Sequence, residues 1–250
     1  MFKVLKIGGS TITDKAKADC VRDEEIERIA GEILGQTSGL VLVHGAGSFG
    51  HIPAKKYGLP GKFSPEGLRI THASVAELNR IVVEALAEAG VDALPVHPLS
   101  CVLLKDGRIE KMEVDFIKEM VAGGILPVLH GDVAMDSSRG AGIVSGDQLV
   151  PYLAKALGAQ TVALGTDVDG VLCSGAPLKE VTRKTLPDIE SCFTQGPGTD
   201  VTGGMRGKIL ELLELADAGT VSLIFNARKA GMVKKALSGD AIGTLIRRSD

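Results

Sequence analysis

The chain has 250 residues, 44% of them hydrophobic and 32 of them glycine, and its 28 basic and 31 acidic side chains leave a net charge of −3. No long basic patch is present to grip a nucleic-acid backbone, and 3% aromatic residues with no tryptophan leave no set of base-stacking platforms. No apolar run approaches the ~18 residues of a membrane span.

The opening "FKVLKI" (2–7) reads as a strand, broken too soon by Gly8-Gly9 for a signal peptide. "DEEIERIAGEIL" (23–34) has Ile26, Ile29, Ile33 and Leu34 at helical spacing, with acids in the first turn. "LVLVH" (40–44) is continuously apolar, as in a strand buried on both faces. "HGAGSFGH" (44–51) follows as a glycine-rich loop, then a helix over 74–90 that stops at Gly90, and a strand "ALPV" (93–96). Residues 101–112 predict a hairpin turning at Asp106-Gly107, 114–124 a helix with a glycine stop, and 125–130 a strand.

The second half repeats this order. A helix is predicted over 146–159, with Pro151 in its first turns, and a strand over 160–166. "DVDGVLC" (167–173) turns at Asp169-Gly170, and 174–203 is rich in loop residues. A strong amphipathic helix covers 204–219, then strand, helix and strand occupy 221–227, 231–237 and 243–248. Strand–helix alternation implies an α/β fold with an open, mostly parallel sheet covered on both faces. Cys20, Cys101, Cys173 and Cys192 are far apart and form no C-x-x-C, so four reduced thiols in a cytoplasmic protein are expected rather than a disulfide framework or zinc site.

Four glycine-rich loops flank these elements: "KIGGS" (6–10), "HGAGSFGH" (44–51), "SGD" (145–147) and "TGGMRGK" (202–208). Ligands of open α/β sheets bind beyond the carboxyl ends of the strands. Glycine lets backbone N–H groups face a phosphate there, and helix N-termini add partial positive charge. One such loop is usually a plain turn; four, three of them with a lysine or histidine, point to phosphate. Neither G-x-x-x-x-G-K-[ST] nor G-x-G-x-x-G after the first strand is present. Lys6 lies in a buried strand, where an ammonium is costly unless an anion meets it. Lys208 follows a glycine turn at a helix start, where the helix dipole opposes a cation. Lys15 lies in "TDK", just beyond the first loop.

In this order, "KIGGS", "VHGAGSFGH", "GDV", "SGDQL", "GTDVDGV" and "DVTGGMRGK" resemble the amino acid kinase superfamily, and the histidine of "HGAGSFGH" is similar to that of its isopentenyl phosphate kinases. The resemblance runs from residue 3 to 247. It implies a three-layer αβα sandwich in one domain, 1–250, with an acceptor and dimerisation lobe (1–158) and an ATP lobe (159–250). It further implies a homodimer, Mg²⁺-dependent use of ATP, and isopentenyl phosphate as acceptor for isoprenoid synthesis by a mevalonate-type route. By motif, Lys6, Gly8, Gly9 and Ser10 contact ATP phosphates, and Lys15 stabilises the transferring group. Ala46 and Gly47 straddle donor and acceptor phosphates, His51 hydrogen-bonds the acceptor, and Gly142 lies near it. Asp147 orients the lysines. Asp167, Asp169, Gly170, Gly203, Gly204 and Lys208 belong to the nucleotide segment. No residue is assigned as a direct metal ligand.

Two departures from the family pattern stand out: "LCSGAPLKEV" (172–181) is short and lacks Asp-Pro, and Ala46 stands where glycine is common. The acceptor's tail is expected to be lined from 74–90 and 94–104. His44, His72, His97 and His130 are read as core or surface residues. Two alternatives stay open. One is a kinase of the same superfamily for another small anion, such as fosfomycin; the other is a non-catalytic nucleotide-binding module.

Overall fold

The computed structural model describes residues 1–14, 17, 19–193 and 204–249. The chain opens with β1 (Lys3–Ile7), α1 (Gly9–Ile12), α2 (Asp23–Ile33), β2 (Leu40–His44), α3 (Gly47–Lys56), α4 (Pro65–Glu88) and β3 (Ala93–Val96). It continues through α5 (Pro98–Cys101), β4 (Val102–Lys105), β5 (Arg108–Met112), α6 (Asp115–Ala122), β6 (Leu126–His130), β7 (Asp132–Asp136), β8 (Gly140–Val144) and α7 (Gly146–Leu157). The last part holds β9 (Thr161–Thr166), β10 (Leu172–Cys173), β11 (Ala176–Pro177), β12 (Glu180–Val181), α8 (Leu186–Ile189), α9 (Gly204–Asp217), β13 (Val221–Asn226), α10 (Met232–Ser238) and β14 (Thr244–Ile246).

Eight strands form the main sheet in the order β12-β14-β13-β9-β1-β2-β6-β3. All its pairs are parallel except β13 with β14. Successive side chains of a strand point to opposite faces, and β1 shows the consequence. Val4 enters a core with Leu149, Leu153, Leu212 and Leu213 of α7 and α9, whereas Leu5 and Ile7 enter one with Ile26, Leu78 and Val233 of α2, α4 and α10. The sheet is therefore buried on both faces, giving the expected three layers. Lys6 shares the Val4 face, which places it beneath α7. A smaller sheet, β5-β4-β7-β8, carries the hairpin expected at Asp106-Gly107, where both residues have positive φ (51° and 78°).

Several expectations need correction. The segment "HGAGSFGH" is not all loop: α3 begins at Gly47. There a Cβ at Gly50 would lie 2.4 Å from Ala46 Cβ and 3.3 Å from Val75 Cγ1, so the missing side chain lets α3 close on α4. Helix α4 starts at Pro65 rather than 74, because Ser64 Oγ accepts the Gly67 N–H at 3.0 Å and caps it. The β7–β8 hairpin was not foreseen; the Asp136 carboxylate shapes its turn by accepting the Ser138 and Arg139 N–H groups. Asp169-Gly170 forms a bend, and the hairpin turn lies at Ser174-Gly175 between β10 and β11. Cys173 and Cys192 are joined as a disulfide, so only Cys20 and Cys101 are free thiols; folding brings the two Cα atoms to 5.0 Å, which spacing along the chain does not disclose. Among the described residues no helix is long and apolar enough to cross a membrane.

Candidate active site

A cavity of about 380 Å³ opens at the carboxyl ends of β1, β2 and β9. Two glycine loops form its floor. A Cβ on Gly9 would fall 2.4 Å from Gly47 N, and one on Gly45 would fall 2.4 Å from Gly9 N. The loops after β1 and β2 thus touch backbone to backbone, which only glycine permits at these positions. Gly47 adds a positive φ of 52°, with Thr13 Oγ1 in the space a side chain would need. Thr13 Oγ1 also accepts the Ser48 N–H at 3.2 Å, tying α1 to the start of α3.

The charged centre is a lysine–aspartate–lysine triplet. Lys6 Nζ lies 2.7 Å from Asp147 Oδ1, and Lys208 Nζ lies 3.5 Å from Asp147 Oδ2. Lys6 is 8% exposed, and the missing side chain of Gly146, whose Cβ would sit 3.0 Å from Lys6 Cε, makes room for it. Asp147 stands in the first turn of α7, behind the Ser145 cap on Gln148 N, where the helix dipole favours a carboxylate. Burial pushes its carboxyl up, but the two ammonium groups outweigh that and hold it below the ordinary value. Lys208 is carried on the first turns of α9.

The sequence candidates divide cleanly in space. Lys6, Gly8, Gly9, Ser10, Ala46, Gly47, His51, Asp147, Asp167 and Lys208 all line the cavity. Asp169 is turned to β13 and its end, where it accepts from Asn226 Nδ2 at 2.9 Å and from Lys229 Nζ at 2.8 Å. Gly170 packs on Thr244, whose Oγ1 would lie 2.5 Å from an added Cβ. Gly142 is also off the cavity wall: its neighbour is Leu104, 2.7 Å from where a Cβ would stand. Gly204 is the first residue of α9. Lys15 and Gly203 lie outside the described residues.

The far end of the cavity is apolar. Ala54 of α3, Val75 of α4, Val133 of β7 and Ile143 of β8 line it, joined by the hydroxyl residue Thr71. The expected segment 94–104 contributes no lining residue, because the unforeseen β7–β8 hairpin supplies that wall. Asp132, also on the wall, was missed although "GDV" was noticed. It is 3% exposed and accepts from Leu99 N, Val133 N and His72 Nδ1. Among the described residues no group of three or more His, Cys, Asp or Glu forms a metal cage.

Comparison with known proteins agrees with this geometry. Residues 1–226 match the amino acid kinase family. The isopentenyl phosphate kinase of Methanothermobacter thermautotrophicus is 38% identical, over 97% of this chain and 98% of its own. That of Methanocaldococcus jannaschii is 35% identical over the whole of both chains. A solved isopentenyl phosphate kinase structure superposes with a TM-score of 0.83 at 33% identity, covering 98% of this chain and all of that one.

Proposed function

This chain belongs to the amino acid kinase family, and from that premise we propose that it transfers the γ-phosphoryl group of ATP to isopentenyl phosphate, giving isopentenyl diphosphate and ADP. It is an ATP-dependent phosphotransferase. The observation that carries the reading is the meeting of Lys6 and Lys208 on Asp147, beside two glycine loops in backbone contact, in a cavity with an apolar far end.

The reaction pushes one phosphate against another. Two unit charges ~4 Å apart repel by ~4 kcal/mol at an effective dielectric of ~20, and two dianions by ~16 kcal/mol. Phosphoryl transfer is therefore a matter of position and charge neutralisation. Lys6 and Lys208 supply fixed positive charge, and Asp147 holds them apart and aimed until substrate phosphates compete for them. No general base is required, since a phosphate monoester with a second pKa near ~6 is mostly dianionic near neutrality. His51, exposed on α3 at the cavity, is the hydrogen-bond donor to the acceptor phosphate. Burying a five-carbon tail against Ala54, Val75, Val133 and Ile143 contributes ~0.8 kcal/mol per carbon, about a thousandfold in affinity.

Mg²⁺ would neutralise charge on the ATP phosphates. It needs few protein ligands when phosphates supply the rest, and Asp167 is the exposed carboxylate on this wall with no hydrogen bond to another described residue. Residues 1–158 then serve acceptor binding and 159–250 the nucleotide, and a cytoplasmic setting and a mevalonate-type route to isoprenoids go with the reading. A homodimer through the N-terminal lobe also goes with it: Leu103 and Met135, paired across β4 and β7, are exposed there together with Leu94 of edge strand β3.

The test is ADP production from Mg-ATP with isopentenyl, dimethylallyl and geranyl phosphates, fosfomycin, UMP and N-acetylglutamate. Turnover of isopentenyl phosphate, alone or with its dimethylallyl analogue, is the expected result. Turnover of fosfomycin or another acceptor alone overturns the substrate. Silence across the panel with ATP still bound overturns the kinase reading.

A further inference from the structure

Four of the five histidines form one connected chain behind the cavity floor. His44 and His130 end the adjacent strands β2 and β6, are register partners, and stack with ring centroids 5.7 Å apart. His97 Nδ1 lies 2.9 Å from His130 Nε2, and His72, 5.5 Å from the His97 ring, bonds Asp132 through Nδ1 at 3.0 Å. Each buried strand-end ring also reaches the glycine that follows it. His44 Nδ1 is 3.1 Å from the Gly45 carbonyl oxygen, and His130 Nδ1 is 3.0 Å from that of Gly131. Gly45 and Gly131 both line the cavity.

The proton positions follow from the partners. A carbonyl oxygen only accepts, so both Nδ1 atoms must carry hydrogen. Asn79 Nδ2 lies 3.0 Å from His44 Nε2 and 3.3 Å from the Val128 carbonyl oxygen. A flipped amide would set oxygen against that carbonyl, so the Asn79 amide donates to both and leaves His44 Nε2 bare. His97 Nδ1–H donates to His130 Nε2 in the same way. Two flanking residues thereby fix the Nδ1–H tautomer, the less common one in free imidazole. Burial, and for His44 the neighbouring His130, keep both rings neutral, down to about 3 for His44 and about 4 for His130.

We propose that His44 and His130 are positioning residues that set the peptide planes of the two cavity loops. In a trans peptide the C=O and the next N–H point opposite ways. With the Gly45 carbonyl held back by His44, the Ala46 N–H is turned out towards the cavity that Gly45, Ala46 and Gly47 line. His130 holds the Gly131 wall by the same device. The inference rests on the phosphate-transfer reading above, because the turned-out N–H needs an anionic partner.

Two experiments on the full chain test it. Long-range ¹H–¹⁵N spectra of the imidazoles should show His44 and His130 as neutral Nδ1–H tautomers from pH 6 to 8; an Nε2–H tautomer at either ring overturns the assignment. Inorganic phosphate titrated into the ADP-saturated protein, followed by ³¹P NMR, should bind about tenfold more weakly to His44→Leu, with ADP affinity unchanged. His44→Asn, whose amide reaches the Nδ1 position, should restore phosphate binding. Wild-type phosphate affinity in the leucine variant, or equal weakness in both variants, overturns the role. The pair His130→Leu and His130→Asn gives the same comparison if the first pair does not fold. If isopentenyl phosphate is not turned over while these tautomers and affinities hold, the substrate assignment fails and this inference stands.

Discussion

Lys6 Nζ and Asp147 Oδ1 lie 2.7 Å apart although 141 residues separate them in the chain. One sits on the central strand and the other on the helix that crosses over it, so the contact is a product of sheet topology. Asp147 has a second ammonium, Lys208 Nζ, at 3.5 Å. Asp147→Asn removes the charge that holds both lysines in place with little change of shape. The expected result is a fall in kcat of about 100-fold, with nucleotide affinity unchanged or tighter because the site gains net positive charge. Steady-state kinetics with calorimetric ADP binding checks this; a kcat within threefold of wild type would exclude the orienting role.

His51 lines the cavity from an exposed position, so its loss should cost binding rather than folding. For His51→Ala the KM for isopentenyl phosphate should rise tenfold or more, the loss of a hydrogen bond to a charged group. The KM for ATP and the melting temperature should stay where they are. Equal effects on both substrates would move His51 away from the acceptor.

The parallel sheet, its two covered faces and the first glycine loop were legible because they rest on local signals, such as apolar runs, helical spacing and Gly-Gly after a strand. The triplet was legible only in part. Lys6 stood out as a lysine in a buried strand, but that it meets Lys208 through Asp147 needs the crossover. The β7–β8 hairpin was hidden because "GDVAMDSSRGAGIV" alternates weakly and its turn is held by the Asp136 carboxylate rather than by an Asn-Gly pair. Four histidines looked unrelated because they end or follow different elements, and only adjacent strands bring them together. Ser64 followed by Pro65 was a readable helix start for α4 that periodicity alone passed over.

Contact between the two glycine loops makes a contrast of two alanine substitutions. In Gly9→Ala the new Cβ meets Gly47 N at 2.4 Å and Gly47 Cα at 2.6 Å, backbone atoms that cannot swing aside. Forcing the loops apart should cost ~1–3 kcal/mol, roughly 2–4 °C of melting temperature per kcal/mol in a domain of this size, and most of the activity. Gly31→Ala lies inside α2 with nothing within 4 Å and should stabilise by ~0.5–1 kcal/mol. Thermal melts of the two proteins decide; a Gly9→Ala variant as stable and active as wild type would mean that the loops do not need their close contact.

The histidine chain predicts how stability changes with pH. His72 is raised above 6.5, chiefly by its hydrogen bond to Asp132, against burial. Its contribution is therefore complete below about 6.5 and is lost as pH rises through the folded value. His44 and His130 are lowered, to about 3 and about 4, chiefly by burial. Below pH 6.5 the unfolded chain takes up protons that these two folded rings refuse, so each destabilises the fold by up to ~1.4 kcal/mol per pH unit. His97, lowered by burial and by His72, acts in the same direction. His72 is protonated in both states below about 6.5 and adds no slope there, so the lowered rings act unopposed and wild type should lose stability steadily from pH 6.5 towards 4. Denaturant melts across that range should show a shallower loss in His44→Asn, which has no ring to protonate, whereas His72→Gln should run parallel to wild type at lower stability and lose its deficit only above pH 6.5, as the wild-type contribution disappears. A His44→Asn slope equal to that of wild type would mean that the buried histidines do not govern the acid limb.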